Sequence, residues 1–296
     1  MNIVLTGSLG NISKPLAIQL IARGHSIKII SSKADKQKEI ETLGATAAIG
    51  SLENADFLTS TFKNADAVYC MIPPNFAELN QVEYYIRIGN NYAQAIEHSD
   101  VKRVVHLSSW GAHLDKGTGI ILGSHNVEVI LNKLSSVAVT HLRAGSIFYN
   151  LFSFIKEIKN AGVIHKNYGG NDKIVWVHTR DIADAAAEEL QKAPAAGINV
   201  RYVASDEKTA SETAKIIGNA IGKPDLQWLL IADEQAKEGM IKNGIPASIA
   251  DDLVDLNASI HSDAMGEDYE LNKPETMGKI KVGDFAKEFA MVYNQQ

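Results

Sequence analysis

Short apolar segments alternate with amphipathic ones along the first half of the chain. The apolar segments are mostly rich in valine and isoleucine, as strands buried on both faces are, and they occupy residues 3–6, 26–31, 46–49, 67–72, 101–108 and 137–143. The clearest helical period between them runs from about residue 76 to residue 98. This alternation predicts βαβ units and an α/β fold with a doubly wound parallel sheet, which binds ligands at the carboxyl ends of its strands.

The second half of the chain is less regular. Its pattern predicts strands at residues 173–177 and 200–203, and helices at 180–190, 209–221, 247–260 and 282–292. We therefore expect a first domain over residues 1–150, with residues 178–205 packing back onto it. A smaller, mostly helical part is expected over residues 151–296.

A glycine-containing segment joins the first predicted strand to the first predicted helix, in the order Thr6-Gly7-Ser8-Leu9-Gly10-Asn11-Ile12-Ser13. Gly7 permits a tight turn, Gly10 lets the backbone approach a pyrophosphate, and the N–H groups at the helix start can meet its charge. Ser13 stands where a third glycine is usual. The segment predicts a Rossmann-type dinucleotide site formed by Gly7, Leu9, Gly10, Asn11 and Ile12; an ordinary strand-to-helix turn is the alternative.

The end of the second predicted strand bears on which dinucleotide is bound. An NAD-specific site usually places an acidic residue there for the ribose 2′-hydroxyl, whereas this chain has Ser31, Ser32 and Lys33. Two hydroxyls and a lysine suit a 2′-phosphate, so Ser32 and Lys33 favour NADP(H). Asp35 lies close enough in sequence to leave NAD(H) open.

Composition excludes several other classes of function. The chain has 29 Lys and Arg against 35 Asp and Glu, a net charge of −6, and no basic cluster, so nucleic acid is not an expected partner. A single cysteine, Cys70, fits a reducing cytoplasm, and no secretory signal or membrane-spanning apolar segment is evident. The histidines lack metal-binding spacing, so no metal is expected.

Taken together, these segments resemble the NmrA-like, atypical short-chain dehydrogenases/reductases. The resemblance runs along the chain, and besides the glycine loop it rests on residues 24–27, 44–45, 50–52, 66–74, 101–112, 140–145 and 176–183. It implies an NAD(P)-binding Rossmann domain covered by a smaller substrate-binding part. Members include NAD(P)H-dependent reductases of quinones and other conjugated compounds, and also redox sensors without turnover.

The resemblance also assigns positions around the cofactor. Ser51 and Leu52 correspond to the segment that flanks adenine, and Met71, Ile72 and Pro73 to the turn on the nicotinamide side. The fifth predicted strand ends at Ser108, a predicted cofactor contact, which places Ser109 and Trp110 beside the nicotinamide. The alternative is that Ser108 and Ser109 simply cap the loop that follows.

The Tyr-x-x-x-Lys pair of typical short-chain dehydrogenases is missing from its usual place. The same spacing occurs at Tyr269 and Lys273, beyond the nucleotide domain and directly before Pro274, and we interpret it as coincidental. His125 resembles the position of the lysine. One interpretation makes His125 a proton donor or a ligand of the cofactor ribose, with Ser109 as the second catalytic residue. The other makes it a polar side chain on a helix face.

Four aromatic residues are candidates for an apolar substrate pocket: Trp110, Phe148, Tyr149 and Trp176. Core packing explains them equally well. The pocket is expected between residues 109–122 and the C-terminal helices. Cys70 is interpreted as a core residue.

Three hypotheses follow. The first is an NAD(P)H-dependent oxidoreductase that transfers hydride to a small conjugated acceptor such as a quinone. The second is a non-catalytic NADP(H) sensor with a protein partner, which the missing tyrosine–lysine pair favours. The third, a nucleotide-sugar epimerase or dehydratase, is disfavoured by the same absence.

Overall fold

The chain folds into two compact units in the computed structural model, which describes residues 1–75 and 77–295. The first unit comprises residues 1–109, 123–143 and 182–201, and the second comprises residues 110–122, 144–181 and the chain from 202 onwards. The chain passes repeatedly between the units: residues 182–201 belong to the first unit, and residues 110–122 and 144–150 to the second.

Twelve strands are formed by the described residues. They are β1 (Asn2–Leu5), β2 (Ser26–Ser31), β3 (Thr46–Ile49), β4 (Ala67–Cys70), β5 (Arg103–Ser109), β6 (Ala138–Ala144), β7 (Ser146–Ile147), β8 (Val163–Lys166), β9 (Lys173–Val177), β10 (Gly197–Val203), β11 (Asp206–Thr209) and β12 (Gln227–Leu230). Every strand predicted from the sequence is present, with its ends displaced by three residues at most.

Twelve α-helices accompany the strands within the described residues. They are α1 (Ser13–Ala22), α2 (Gln37–Thr42), α3 (Ala55–Phe62), α4 (Gln81–Glu97), α5 (Ile121–Leu131), α6 (Ile155–Ala161), α7 (Thr179–Leu190), α8 (Ala210–Ala220), α9 (Asp233–Lys242), α10 (Ala247–His261), α11 (Gly266–Leu271) and α12 (Val282–Gln295). Helix α4 begins at Gln81, because the side chain of Asn80 accepts from the N–H of Glu83 and caps it there. The earlier start predicted at Phe76 lies outside the described residues.

A seven-stranded sheet is the centre of the first unit, in the order β10-β6-β5-β4-β1-β2-β3. The pairings from β3 to β5 are parallel, which confirms the predicted doubly wound α/β fold. The strand order reverses direction between β1 and β4. Ligands of such sheets bind at this switch point, outside the carboxyl ends of the strands, where the glycine loop leaves β1.

The core of the first unit contains Cys70, as the sequence predicted. Its side chain is fully buried among apolar residues from β1, β2, α3 and α4. Burial raises the pKa of the thiol well above its usual value. The cysteine is therefore a small apolar core residue, held in its neutral form.

The second unit contains two small sheets, with the strand orders β11-β9-β7 and β12-β8, packed with helices. Its core is aromatic: the ring of Phe148 stacks on Trp176 and on Phe285, with centroids 5.9 and 5.1 Å apart. Asp181 fastens the segment before α12, because its carboxylate accepts from the N–H groups of Lys279 and Ile280.

A buried ion pair joins β5, α5 and β6 in the first unit. Arg143 donates from Nε and Nη2 to the two carboxylate oxygens of Glu128, at 3.0 and 2.7 Å. Ser108 Oγ donates to Glu128 Oε1 at 2.5 Å. The three residues are at most 9% exposed, so the carboxylate fixes helix α5 against the ends of two strands.

Two histidines form a second buried polar contact between β5 and β6. The Nδ1 atoms of His106 and His141 lie 3.0 Å apart, and His141 Nε2 lies 2.9 Å from Asn132 Oδ1. One Nδ1 must donate and the other accept, so the two rings cannot both be charged. Burial accordingly lowers the pKa of His106 well below its usual value and that of His141 to about 4.

We expect this histidine pair to make the protein less stable in mild acid. The unfolded chain takes up protons below about pH 6.5, whereas His141 in the folded chain does not until pH falls towards 4. His141 should therefore lower the free energy of unfolding by about 2 kcal/mol between pH 7 and 5, and His106 acts in the same direction. Urea unfolding at both pH values measures this. The loss should shrink in His141→Gln but not in the exposed control His98→Gln; equal losses in both would contradict the assignment.

Breaking the Glu128–Arg143 pair should cost far more than an exposed charge change. Glu128→Gln leaves the Arg143 cation buried without its counter-charge, which typically destabilises by about 3 kcal/mol. Urea unfolding of the full chain measures the loss, with Glu97→Gln, an exposed position on α4, as the matched control. A change below about 0.5 kcal/mol in the Glu128 variant, as is usual for surface substitutions, would show that the pair is not needed for stability.

Candidate functional site

The glycine loop is held in its shape by two close contacts. Gly7 has φ +88°, and a Cβ there would lie 2.6 Å from Ser13 Oγ and 2.9 Å from Met71 Cγ. Ser13 Oγ donates to the carbonyl of Thr6 at 2.7 Å, which ties the start of α1 to the end of β1. Ser13 therefore replaces the third glycine without loosening the contact between helix and strand, because its side chain is used as a hydrogen-bond donor.

Backbone donors converge beside this loop. Gly10 N–H donates to Gly7 O at 3.1 Å, whereas the N–H groups of Leu9, Asn11 and Ile12 have no acceptor among the described residues. Gly10 and Asn11 are exposed, and helix α1 begins directly afterwards. Unpaired N–H groups at a helix start suit a pyrophosphate. The arrangement of the loop thus fits the dinucleotide that the sequence predicted.

Three hydroxyl groups fix the turn that follows β4, on the other side of the switch point. Thr6 Oγ1 accepts from Met71 N–H at 2.8 Å. Tyr92 donates to Met71 O at 2.7 Å, and Tyr85 donates to Ile72 O at 3.2 Å. Burial raises the pKa of Tyr85 to about 12, so it stays a neutral donor.

Sequence reasoning missed these two tyrosines of α4. Of the predicted residues in the same turn, Met71 is half-buried, Ile72 is buried and Pro73 is exposed. The i, i+7 spacing of Tyr85 and Tyr92 on one helix face was the signal available for both.

The end of β2 presents the residues predicted to read the ribose. Ser31 is buried, accepts from Ser8 Oγ at 2.9 Å and also accepts from Lys33 N–H. Ser32 and Lys33 are exposed, and Lys33 forms no ion pair with any described carboxylate. Asp35, the acidic residue that left NAD(H) open, is next to Lys36. The pKa of Lys36 is raised chiefly by its hydrogen bond to Glu39 and, to a smaller extent, by the charge of Asp35.

The end of β3 is ordered by local hydrogen bonds. Ser51 Oγ accepts from Glu53 N–H at 3.1 Å, and Asn91 of α4 donates to Leu52 O at 3.0 Å. Ser51 is exposed and Leu52 half-buried, so both keep surface at the same sheet edge as the glycine loop.

The two predicted catalytic residues lie at the end of β5 and on α5. Ser109 is half-buried, and His125 lies half-buried in the first turns of α5. Ser108, predicted to touch the cofactor, donates to Glu128 as described above. Glu128 follows His125 by three residues and so lies on the same side of the helix, where its bond to Arg143 fixes the orientation of α5. The Glu128–Arg143 ion pair was not predicted from the sequence. The available signal was Arg143, because a charged residue in a buried strand requires a counter-charge.

Three of the four predicted pocket residues are core residues of the second unit. Trp110, Phe148 and Trp176 are at most 2% exposed and pack in the aromatic core. Tyr149 is the exception, being half-buried. Burial raises the pKa of its phenol, and the neighbouring Glu288 carboxylate acts in the same direction.

One side of the expected pocket was residues 109–122. Residues 110–122 of this segment pack tightly on the C-terminal helices of the second unit. A Cβ on Gly119 would collide with the backbone carbonyl of Asp252 in α10, and one on Gly111 would lie 2.8 Å from Met265 Cε. This close packing leaves no room for a ligand at these two contacts.

Tyr269 and Lys273 belong to a polar network in the second unit. Tyr269 donates to Glu207 at 2.7 Å, and Lys273 pairs with both Glu207 and Glu270. Both polar groups are therefore occupied by carboxylates, in agreement with a coincidental motif.

The described residues contain no cluster of three or more histidine, cysteine or acidic side chains that could hold a metal ion. Among the same residues, every helix is too short or too polar to cross a membrane.

Comparisons with known proteins agree with this geometry. The chain is 25% identical over 258 residues to an NAD(P)H azoreductase of Xenophilus azovorans, covering 86% of each chain. An NADPH-dependent quinone oxidoreductase from Escherichia coli has a similar structure, with a TM-score of 0.78, 20% identity and coverage of 97% of this chain and 98% of that one. A nucleoside-diphosphate-sugar epimerase from Staphylococcus aureus gives a TM-score of 0.77 at 16% identity, covering 97% and 100%.

At these identities the two solved structures show the fold alone, which is shared by reductases and epimerases. The family is shown by a different comparison, since the model of the NmrA-like family matches residues 1–281. The match takes in the glycine loop, the switch point and most of the second unit. The chain belongs to the NmrA-like family.

Proposed function

We propose that this protein is an NADPH-dependent reductase of a small conjugated acceptor, such as a quinone or an azo compound. The observation that carries the proposal is the set of unpaired N–H groups of Leu9, Asn11 and Ile12 at the switch point, in a chain of the NmrA-like family. The names of an NAD(P)H azoreductase and an NADPH-dependent quinone oxidoreductase among the similar proteins support the substrate class.

The dinucleotide would be held by residues of the first unit. The N–H groups after Gly7 and Gly10 would bind the pyrophosphate, and Ser32 and Lys33 the 2′-phosphate. Ser51 and Leu52 would flank the adenine. Met71, Ile72 and Pro73 would flank the nicotinamide, in a turn held by Thr6, Tyr85 and Tyr92. Exposed Lys33, without an ion pair to any described carboxylate, favours NADP(H) over NAD(H).

The nicotinamide, when bound, supplies a hydride. What this chain lacks is the tyrosine–lysine pair that protonates an alkoxide in typical short-chain dehydrogenases. A quinone or azo acceptor has less need of a protein acid, because water can protonate the reduced product. Ser109 and His125 are the polar side chains we assign to orient the acceptor and its proton. The same missing pair argues against epimerase activity.

We place the reaction in the cytoplasm. The single cysteine, Cys70, is buried and unpaired, as suits a reducing compartment.

Purified protein should oxidise NADPH steadily when given a quinone or an azo dye. Gly10→Val should abolish both binding and turnover, because even a Cβ at Gly10 would lie 3.0 Å from Gly7 O and a branched side chain would cover the donors. Loss of NADPH absorbance with and without acceptor measures the activity, and circular dichroism checks that the variant is folded. NADPH binding without turnover on any acceptor would contradict the reductase and support a sensor.

Cofactor preference tests the assignment of Lys33 separately. Lys33→Ala should weaken NADPH binding about tenfold, since a charge-assisted hydrogen bond is lost, and should leave NADH binding nearly unchanged. Calorimetric titration with each dinucleotide measures this. Lys38→Ala, an exposed lysine of α2, is the matched control. Equal losses for NADPH and NADH would exclude the 2′-phosphate role.

A further inference from the structure

A cavity of about 290 Å³ opens at the edge of the first unit opposite the glycine loop. It lies between the first residues of β5, β6 and β10 and the segment that follows α7. The polar side chains around it are those of Arg103, Thr140, Glu189, Lys192 and Asn199. Because strands in this sheet run parallel, this edge is at the other end of β5 from Ser108 and Ser109.

Arg103 brings an unbalanced positive charge into this cavity. The residue is 6% exposed, and its Nε and Nη2 donate to the backbone carbonyls of Lys192 and Ala193 at 2.9 and 2.7 Å. These two bonds hold the guanidinium at the end of α7. No carboxylate among the described residues pairs with it, and its Nη1 has no acceptor there. A buried cation with only carbonyl partners retains its need for an anion.

Thr140 points to a ligand independently. The residue is 2% exposed and lines the same cavity, yet its hydroxyl makes no hydrogen bond with any described residue. The side-chain amide of Asn199, at the rim, is likewise without a partner in the described part of the chain. The Thr140 hydroxyl faces the open space of the cavity and Asn199 is exposed, so the cavity offers donors that the protein itself leaves unused.

The remaining charges near the cavity neutralise one another. Glu189, 1% exposed in its side chain, accepts from Lys192 at 2.6 Å and from Arg201 at 3.0 Å. Arg201 also pairs with Glu188 at 2.8 Å. Two carboxylates thus balance two cations, and Arg103 is left over as one net positive charge.

We propose that this cavity binds a small oxyanion, either inorganic phosphate or the carboxylate of a small metabolite. Arg103 supplies the charge and a free N–H edge, and Thr140 and Asn199 supply neutral donors at the wall and the rim. The site is separate from that of the dinucleotide, because the cavity lies at the amino ends of the strands of this sheet and the glycine loop at their carboxyl ends.

The test measures anion binding to the full-length protein in saturating NADPH, so that phosphate groups of the dinucleotide already occupy the glycine loop. Inorganic phosphate and acetate are titrated by calorimetry at constant ionic strength, with sodium chloride as the reference. Phosphate binding with weak acetate binding identifies a phosphate site, and the reverse identifies a carboxylate site. No heat beyond that of chloride for either anion would overturn the proposal.

Two variants locate the binding. Asn199→Asp places a negative charge at the rim and should weaken anion binding at least tenfold. Thr140→Val keeps the shape of the side chain but removes its hydroxyl, and should weaken anion binding several-fold. Asn90→Asp adds the same charge at an exposed position of α4 and should have no effect. NADPH binding should be unchanged in all three. Equal anion affinity in the Asn199 and Asn90 variants would place the anion elsewhere and overturn the assignment.

Discussion

The buried hydroxyl of Thr6 is the contact on which the carboxyl edge of the first unit depends. It accepts from Met71 N–H and lies 3.2 and 3.1 Å from the carbonyls of Tyr69 and Met71. One residue directly after β1 thereby positions the chain leaving β4 through its side chain, while its carbonyl accepts from Ser13 of α1. Because the glycine loop and the β4 turn are both tied to Thr6, the proposed pyrophosphate and nicotinamide positions are set by one residue.

Buried charge performs the same task for β5 and β6. The bidentate pair of Arg143 and Glu128 fixes the helix that carries His125, and Ser108 completes the carboxylate's bonding. Such a pair contributes little net stability compared with apolar packing, because both ions are desolvated. The pair instead fixes the orientation of α5, because a helix held by two parallel hydrogen bonds has little freedom to rotate.

The central sheet could be predicted from the sequence because buried parallel strands need continuous apolar runs. Strands β2 and β3 begin and end at the predicted residues. Strand β11 could not be predicted: its sequence, Asp-Glu-Lys-Thr, is polar, and it is a strand because it pairs with β9 in the folded chain. Short strands such as β7 and β8 depend on their partners in the same way.

The residues of the candidate site likewise fall into those that could be predicted from the sequence and those that could not. Backbone roles, such as those of Gly7 and Gly10, follow from local spacing, and the sequence predicted them. Side chains that meet across elements, such as Tyr85 with Ile72, depend on which helix face is turned to the sheet. The aromatic residues show the limit of composition alone, since Phe148 and Tyr149 are adjacent and equally suited to a pocket. On the short helical turn that contains both, the side chain of Phe148 is buried in the core and that of Tyr149 is half-buried.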